Sequence, residues 1–197
     1  MENTKKTSVW PLAKLVIILA AIAIITGGLL ALINEVTKDT IAAQNEQKVK
    51  DALNAVLVAE TYEPVDISAF AEDKTVTGAY VAKNGENVLG HCIEVAPNGF
   101  GGPISMIVGI DPNGAVTKVA IVNMSETSGI GTKTNDEGFL SQYSGHASEI
   151  TASTKTTIGE NEISAITGAT VSSKAVTSGV NTALQVAQVL KGGNGNA

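Results

Sequence analysis

The longest run of apolar residues in the chain is Leu15–Ile33, which contains nineteen residues and no charge. As a helix it would be about 28 Å long, enough to span the hydrocarbon core of a bilayer. Lysines at positions 5, 6 and 14 precede the run and Glu35 follows it, so the positive-inside rule predicts a cytoplasmic segment over 1–14 and an extracytoplasmic remainder. A cleaved signal peptide is the competing interpretation, but the run is long for one and no clear small-x-small cleavage site follows it. We therefore predict a retained single-pass transmembrane helix over 15–33.

The next segment, residues 34–60, has an amphipathic pattern. Apolar residues recur there at helical spacing among Lys and Glu, at Val36, Ile41, Val49, Ala52, Leu53, Val56 and Leu57. The pattern predicts a membrane-proximal helix that ends before Tyr62-Glu63-Pro64, followed by a loop.

Four short segments rich in Val, Ile and Thr come next. They predict strands over Thr75–Ala82, Asn87–Val95, Ile104–Ile110 and Ala115–Val122. The turn sequences Asn84-Gly85 and Asp111-Pro112-Asn113-Gly114 join the first two and the last two of these strands, and such short connections favour antiparallel pairing. With helices before and after the strands, the predicted fold class is α+β, an antiparallel sheet with flanking helices.

A small-residue turn, Ile166–Ala169, leads into the last amphipathic segment. Its apolar positions have the spacing of a helix with one buried face: Val176, Val180, Ala183, Leu184, Ala187 and Leu190. Thr170 is placed to cap this helix, and the first-turn amides together with Gly168 would form an anion site. A capped helix without a ligand is the simpler interpretation of the same residues. We predict one folded domain over 61–191 and a disordered tail over 192–197.

Charge and cysteine content narrow the possible functions. The 13 basic residues are all Lys and the net charge is −6; without residues 1–14, 10 Lys face 18 acidic residues, giving −8. An acidic chain without Arg is a poor candidate for binding nucleic acid. Cys92 is the only cysteine, which excludes an internal disulfide and a Cys-based iron–sulfur or zinc site within one chain. The two histidines are too isolated in the sequence to predict a metal site.

Two glycine-rich loops interrupt the predicted strands, at 98–104 and 125–132. Loops of this composition either make sharp turns or let the backbone approach a flat ligand. Neither contains a G-x-x-x-x-G-K-[ST] sequence or a G-x-G-x-x-G that opens a helix, so the common nucleotide-binding folds are not indicated.

The order of these features resembles a known family. Behind the anchor come Gly-Phe-Gly-Gly-Pro-Ile-Ser-Met-Ile-Val-Gly-Ile-Asp, Ser-Glu-Thr-Ser-Gly-Ile-Gly, Gly-Phe-Leu-Ser-Gln-Tyr-Ser-Gly and Ile-Thr-Gly-Ala-Thr-Val-Ser-Ser. The chain resembles the FMN-binding G subunit of the Rnf ion-translocating electron-transport complex, and also the related C subunit of the Na⁺-translocating NADH:quinone reductase. Its length and spacing are more similar to the Rnf protein.

This resemblance implies a membrane-bound flavoprotein that relays electrons within an ion-translocating complex of ferredoxin:NAD oxidoreductase type. The implied cofactor is FMN, joined by a phosphoester to the last Thr of the S/T-G-A-T motif, which is Thr170 here. Implied partners are the other subunits of the complex, the lipid bilayer and a flavin transferase for maturation. No side chain is expected to act as a catalytic acid, base or nucleophile, and no metal is expected.

Three segments make up the implied cofactor site. They supply Thr167, Gly168, Ala169, Val171 and Ser172 around the acceptor, Glu126, Thr127, Gly129, Ile130, Gly131 and Thr132 from the second glycine-rich loop, and Gly102, Pro103 and Ile104 from the first. The sequence departs from the family pattern at Met124 and Ser125, where the family has His-Lys, at Ser128 in place of Pro, and at Ser164 in place of Asp.

Three alternatives remain open from the sequence. The chain could serve the quinone reductase rather than the Rnf complex. It could be a membrane-anchored, non-redox module that holds FMN or another phosphate ligand non-covalently. It could also be an anchored scaffold without a cofactor.

Overall fold

The computed structural model describes residues 10–70, 73–155 and 157–193, and divides into one unit up to Glu46 and a larger unit from Gln47 onward. Helix α1 spans Trp10–Val56 without interruption. The large apolar side chains of the predicted anchor are exposed along it, and the helix is long and apolar enough to cross a membrane. Much of the predicted cytoplasmic segment, at 1–9, and most of the predicted tail, at 194–197, lie outside the described residues.

The end of helix α1 differs from the prediction, because the helix stops at Val56 rather than near Glu60. The Val56 carbonyl accepts a hydrogen bond from the Thr117 hydroxyl at 2.6 Å, which ties the last turn to the sheet. A strand that the sequence did not predict, β1 (Thr61–Pro64), then pairs antiparallel with β2. It is short and mostly exposed, so it lacks the apolar pattern that identifies a strand.

The predicted antiparallel sheet is confirmed. It consists of β1, β2 (Val76–Asn84), β3 (Asn87–Val95), β4 (Ser105–Ile110) and β5 (Val116–Asn123), in that spatial order. All four neighbouring pairs are antiparallel. The β4–β5 turn closes on Asp111, whose carboxylate accepts hydrogen bonds from the backbone N–H groups of Asn113 at 2.8 Å and Ala115 at 2.9 Å.

Each face of the sheet buries a separate apolar layer. One layer packs the last turns of α1 against Ala82, Cys92 and Ile107. The larger layer packs alternate residues of the same strands against the C-terminal helix α3 (Thr170–Gly193). Residues 92 and 93 therefore point to opposite sides of the sheet, as strand alternation requires.

Between β5 and α3 the chain forms short elements that the sequence did not predict. They are 3₁₀ turns at Gly131–Asn135 and Ser141–Tyr143, helix α2 (Glu137–Leu140), and strands β6 (Thr151–Ser153) and β7 (Glu162–Ser164), which pair parallel. Helix α3 was predicted, but it continues through Gly193 rather than ending before 192.

Candidate functional site

Helix α3 begins at Thr170, which is its first helical residue. The prediction that the Thr170 hydroxyl caps the helix is wrong, because Thr170 is already helical and its hydroxyl accepts no hydrogen bond from a first-turn amide of the described chain. Ser173 instead ties the helix start to the preceding turn. Its Oγ accepts a hydrogen bond from the backbone N–H of Ile166 at 3.1 Å and donates one to the Ala169 carbonyl at 2.9 Å. Gly168, with φ +83°, makes the turn that brings Ile166 within reach of Ser173.

The hydroxyl groups at this helix start differ in what they contact. Ser173 is completely buried, and Ser172 is 2% exposed with its Oγ donating to a Glu126 carboxylate oxygen at 2.8 Å. Thr170 is half-buried, and its Oγ1 makes no hydrogen bond to any residue within the described ranges. Thr170 therefore offers a hydroxyl that the fold itself does not use.

The first turn of α3 also leaves backbone N–H groups without helical partners. The first helical hydrogen bond is donated by the Ser173 amide to the Ala169 carbonyl. The three amides before it, those of Thr170, Val171 and Ser172, have no carbonyl one turn back to bond to. Together with the helix dipole, these groups favour a negative charge at the helix start.

A cavity of about 490 Å³ lies beside this helix start. Three segments that are far apart in sequence line it: Phe100 from the first glycine-rich loop, Glu126, Thr127, Ile130 and Gly131 from the second, and Gly168, Ala169, Thr170, Val171 and Ser172. The volume lies within the usual range for small-molecule and cofactor sites, about 300–1,000 Å³. Apolar groups form much of the wall, with one carboxylate and the Thr170 hydroxyl among them.

The first glycine-rich loop is a tight turn. The backbone N–H of Gly99 donates to the Gly102 carbonyl at 2.8 Å, and that of Ile104 donates to the Pro97 carbonyl at 2.9 Å. The turn leaves Phe100 at its tip with 74% of its surface exposed, whereas Ile104 is buried in the core. Gly102, Pro103 and Ile104, which were implied as site residues, do not line the cavity, while Phe100, which was not, does. The sequence signal that could have identified Phe100 is its position as a single aromatic residue between two glycines.

The second glycine-rich loop folds around Thr127, whose carbonyl accepts from the N–H groups of Ile130 and Thr132 at 3.2 Å. The Gly129 N–H donates to Thr132 Oγ1 at 2.9 Å. Gly129 and Thr132 therefore hold the turn without lining the cavity, and exposed Thr167 also lies outside its wall. Hydrogen bonds within the loop thus involve Gly129 and Thr132, whereas Ile130 and Gly131 face the cavity.

Glu126 connects the three segments. Its carboxylate accepts from Ser172 Oγ and, at 3.2 Å, from the Gly101 N–H. A methyl group at Gly99 would overlap Glu126 Oε1, and one at Gly131 would lie 2.5 Å from Glu126 Oε2. Both glycines are therefore required for the carboxylate to reach helix α3.

Below the site, helix α3 is held by Tyr143. The Tyr143 hydroxyl is hydrogen-bonded to Thr177 Oγ1 at 2.8 Å, and Tyr143 is completely buried. Burial raises the pKa of the Tyr143 phenol, partly offset by this hydrogen bond, so the phenol is neutral. This hydrogen bond joins the 3₁₀ turn at Ser141–Tyr143 to α3, two turns after the helix begins.

None of the four positions that depart from the family pattern lines the cavity. Met124 is partly buried and packs against the core. Ser125 is exposed, and its backbone carbonyl lies so close to Gly101 that a side chain at position 101 would overlap it. Ser128 is exposed in the second loop. Ser164 ends β7, and its backbone N–H donates to the Gln142 side-chain oxygen at 2.8 Å.

Sequence comparisons match the chain to two family models. The FMN-binding domain matches residues 99–185, which include all three cavity segments, and the RnfG N-terminal region matches residues 11–56. The G subunit of the Na⁺-translocating ferredoxin:NAD⁺ oxidoreductase complex from Acetobacterium woodii is 34% identical over 96% of this chain and 99% of its own length. The chain belongs to the family of Rnf G subunits. The G subunit of the proton-translocating complex from Clostridium ljungdahlii is 28% identical over 86% of this chain and 88% of its own.

Two solved structures of related subunits have a fold similar to that of this chain. The C subunit of the Na⁺-translocating NADH-quinone reductase from Parabacteroides distasonis has a TM-score of 0.55 at 15% identity, over 75% of this chain and 94% of that one. The Shewanella oneidensis NqrC structure has a TM-score of 0.50 at 16% identity, over 66% of both chains. The predicted fold class and the predicted family are confirmed, and the chain is a membrane-anchored protein.

Proposed function

We propose that this chain is the electron-transferring G subunit of an ion-translocating ferredoxin:NAD oxidoreductase complex, with FMN joined by a phosphoester to Thr170 Oγ1. The observation that carries the proposal is the Thr170 hydroxyl. It lies in the wall of the cavity, at the positive end of α3, and has no hydrogen bond within the described residues. Its neighbours Ser172 and Ser173 have their hydroxyls buried and bonded.

The residues present fit a flavin phosphate and its flat ring system. The first-turn amides of α3 would hold the phosphate, and Gly168 lets it approach the backbone closely. Phe100, Ile130 and Val171 are 74%, 49% and 54% exposed around the cavity, an apolar surface that suits a flat heterocycle.

FMN, when bound, supplies reversible electron transfer, and the protein supplies position, electrostatics and solvent access. The chain's own residues have limited tasks. Thr170 fixes the phosphate end, Glu126 holds the two loops against the helix, and the apolar rim excludes water from one part of the site. No lining residue is assigned a proton-transfer step.

A covalent bond suits the proposed location. With residues 1–14 in the cytoplasm, the FMN domain would be extracytoplasmic, where a lost cofactor is not readily replaced. Tethering keeps the effective concentration of the cofactor at its site high. The proposed partners are the other subunits of the complex, the lipid bilayer around α1, and a flavin transferase. That enzyme must draw the FMN phosphoryl group from a phosphoric anhydride of FMN. The new P–O bond to Thr170 Oγ1 forms as the anhydride P–O bond breaks, the other phosphate half leaves, and the hydroxyl proton passes to solvent.

The decisive experiment uses the full chain co-expressed with its flavin transferase. Denaturing electrophoresis under ultraviolet light should give a fluorescent band, and intact mass with peptide mapping should place one FMN on Thr170. Thr170→Val should abolish the band, while Thr167→Val, which removes a neighbouring exposed hydroxyl, should retain it. An unmodified Thr170 in the wild-type chain would refute the proposal.

The same experiment separates the alternatives. Flavin that is released by heat or acid would indicate a non-covalent FMN module, since a phosphoester survives both treatments. A colourless complex would indicate a scaffold. A function as the C subunit of a quinone reductase shares the same chemistry, and co-purification with a ferredoxin-type subunit or with quinone-reductase subunits would distinguish the two complexes.

A further inference from the structure

A second cavity, of about 340 Å³, lies at the C-terminal end of α3. It is enclosed by β3, the β4–β5 turn and the last turns of the helix. Its wall includes three polar or charged residues, His91, Asp111 and Lys191, and the apolar residues Val88, Ile110 and Ala187. Lys191 follows Thr170 by 21 positions, which is about 31 Å along a helix, so this cavity is separate from the one at Thr170.

His91 is the unusual residue of this wall. It is only 8% exposed, and its ring nitrogens, which bond to no other described residue, keep their contact with solvent in the cavity. A ligand in the cavity can therefore reach these nitrogens without breaking an existing hydrogen bond. Burial, and secondarily the charge of Lys191, lower the pKa of His91, so the ring is neutral at pH 7 and offers one N–H donor and one acceptor nitrogen.

The cavity wall has one cationic and one anionic side chain near His91, and they differ in whether they have partners. Lys191 and Asp111 are the charged residues of the wall. The Asp111 carboxylate already accepts hydrogen bonds from the Asn113 and Ala115 amides, and these bonds lower its pKa against the opposing effect of burial. The Lys191 ammonium forms no ion pair with any residue in the described ranges. A negatively charged ligand could therefore pair with the Lys191 ammonium.

We propose that this cavity binds a small organic monocarboxylate, with its carboxylate between the Lys191 ammonium and an N–H of His91. The single ammonium matches a single negative charge, whereas a phosphate dianion would need further cations or a cluster of backbone amides. Val88, Ile110 and Ala187 give the wall an apolar part for a short hydrocarbon or aromatic body. A cation is disfavoured by Lys191.

Benzoate is a suitable probe and benzamide is its neutral control of nearly the same shape. The experiment uses the full chain in lipid nanodiscs with labelled histidine side chains, because the chain has only two histidines, His91 and His146, and their signals can be told apart by the variant His146→Gln. Benzoate should shift the His91 signal in a saturable way and leave that of His146 unchanged, and benzamide should have little effect. The bound anion should also raise the pKa of His91, so benzoate should bind more tightly at pH 6 than at pH 7.5.

Lys191→Met should weaken benzoate binding, measured by calorimetry, at least tenfold, because it removes the charge at an exposed position without disturbing the core. Lys118→Met, which removes an exposed lysine elsewhere, should leave the affinity unchanged. The proposal is overturned by the absence of a saturable His91 shift, by equal shifts with benzamide, by equal or tighter binding of inorganic phosphate, or by full affinity in Lys191→Met. None of these outcomes depends on the flavin at Thr170.

Discussion

The carboxylate of Glu126 and the hydroxyl of Ser172 lie 2.8 Å apart, although 46 positions separate them in the sequence. This hydrogen bond fastens the second glycine-rich loop to the first turn of α3. It also occupies the Ser172 hydroxyl, whereas the Thr170 hydroxyl has no hydrogen bond within the described residues. One contact therefore contributes both to the shape of the cavity and to which hydroxyl at the helix start is free of a protein partner.

Glu126→Ala should destabilise the folded domain by about 1–3 kcal/mol, because the Ser172 hydroxyl and the Gly101 amide both lose their acceptor. Glu126→Gln keeps an acceptor oxygen and should cost less. Denaturant unfolding of the full chain in nanodiscs measures both effects. Glu149→Ala, which removes an exposed carboxylate elsewhere, serves as the control and should be near neutral. Equal stability of Glu126→Ala and Glu149→Ala would contradict a linking role for Glu126.

Gly131→Ala should reduce covalent flavin attachment and cost about 1–3 kcal/mol, because the added methyl group would lie 2.5 Å from Glu126 Oε2 and 2.8 Å from its Cβ. Gly138→Ala is a matched control, since nothing lies within 4 Å of a methyl group there and the residue is already helical. The yield of fluorescent band per chain, together with the midpoint of unfolding, compares the two variants. If Gly131→Ala behaves like Gly138→Ala, the close packing around Glu126 has no bearing on the site.

Cys92 should be unreactive in the folded protein. Burial raises the pKa of its thiol to about 12, and the side chain is completely buried on the α1 side of the sheet. Because the thiolate is the reactive form, a maleimide should label Cys92 only after guanidinium unfolds the domain. Rapid labelling under native conditions would mean that the sheet opens locally around β3.

His91 should make the folded domain less stable in acid. Its pKa is lowered in the folded state, so on acidification below about 6.5 the unfolded chain takes up a proton before the folded chain does. Stability should therefore fall as pH decreases from 7 through 6.5 and continue to fall until the pH reaches the folded-state pKa. As pH is lowered from 7 to 5, the denaturant midpoint of unfolding should fall less steeply in His91→Gln than in the wild type. In His146→Gln the dependence of the midpoint on pH should match the wild type.

Local sequence patterns determined much of the fold. The uncharged apolar run, the four long strands, the Asp111–Gly114 turn and the amphipathic C-terminal helix all follow from spacing within a few residues. Each of these signals is local, because strand alternation, helical periodicity and turn chemistry are read from neighbouring positions. The family was also evident from short motifs in order along the chain.

Tertiary structure alone decided the rest. Strand β1 exists because β2 offers it a partner, and Ser173 bonds to the Ile166 amide because the turn at Gly168 brings that amide back to the helix. Contacts between distant segments also produce the Glu126–Ser172 bond, the position of Phe100 at the first cavity and the position of His91 in the wall of the second. The sequence alone established which residues can form helices, strands and turns. Which side chains meet across them was decided by packing, because contacts between residues far apart in the sequence leave no periodic or turn pattern at neighbouring positions.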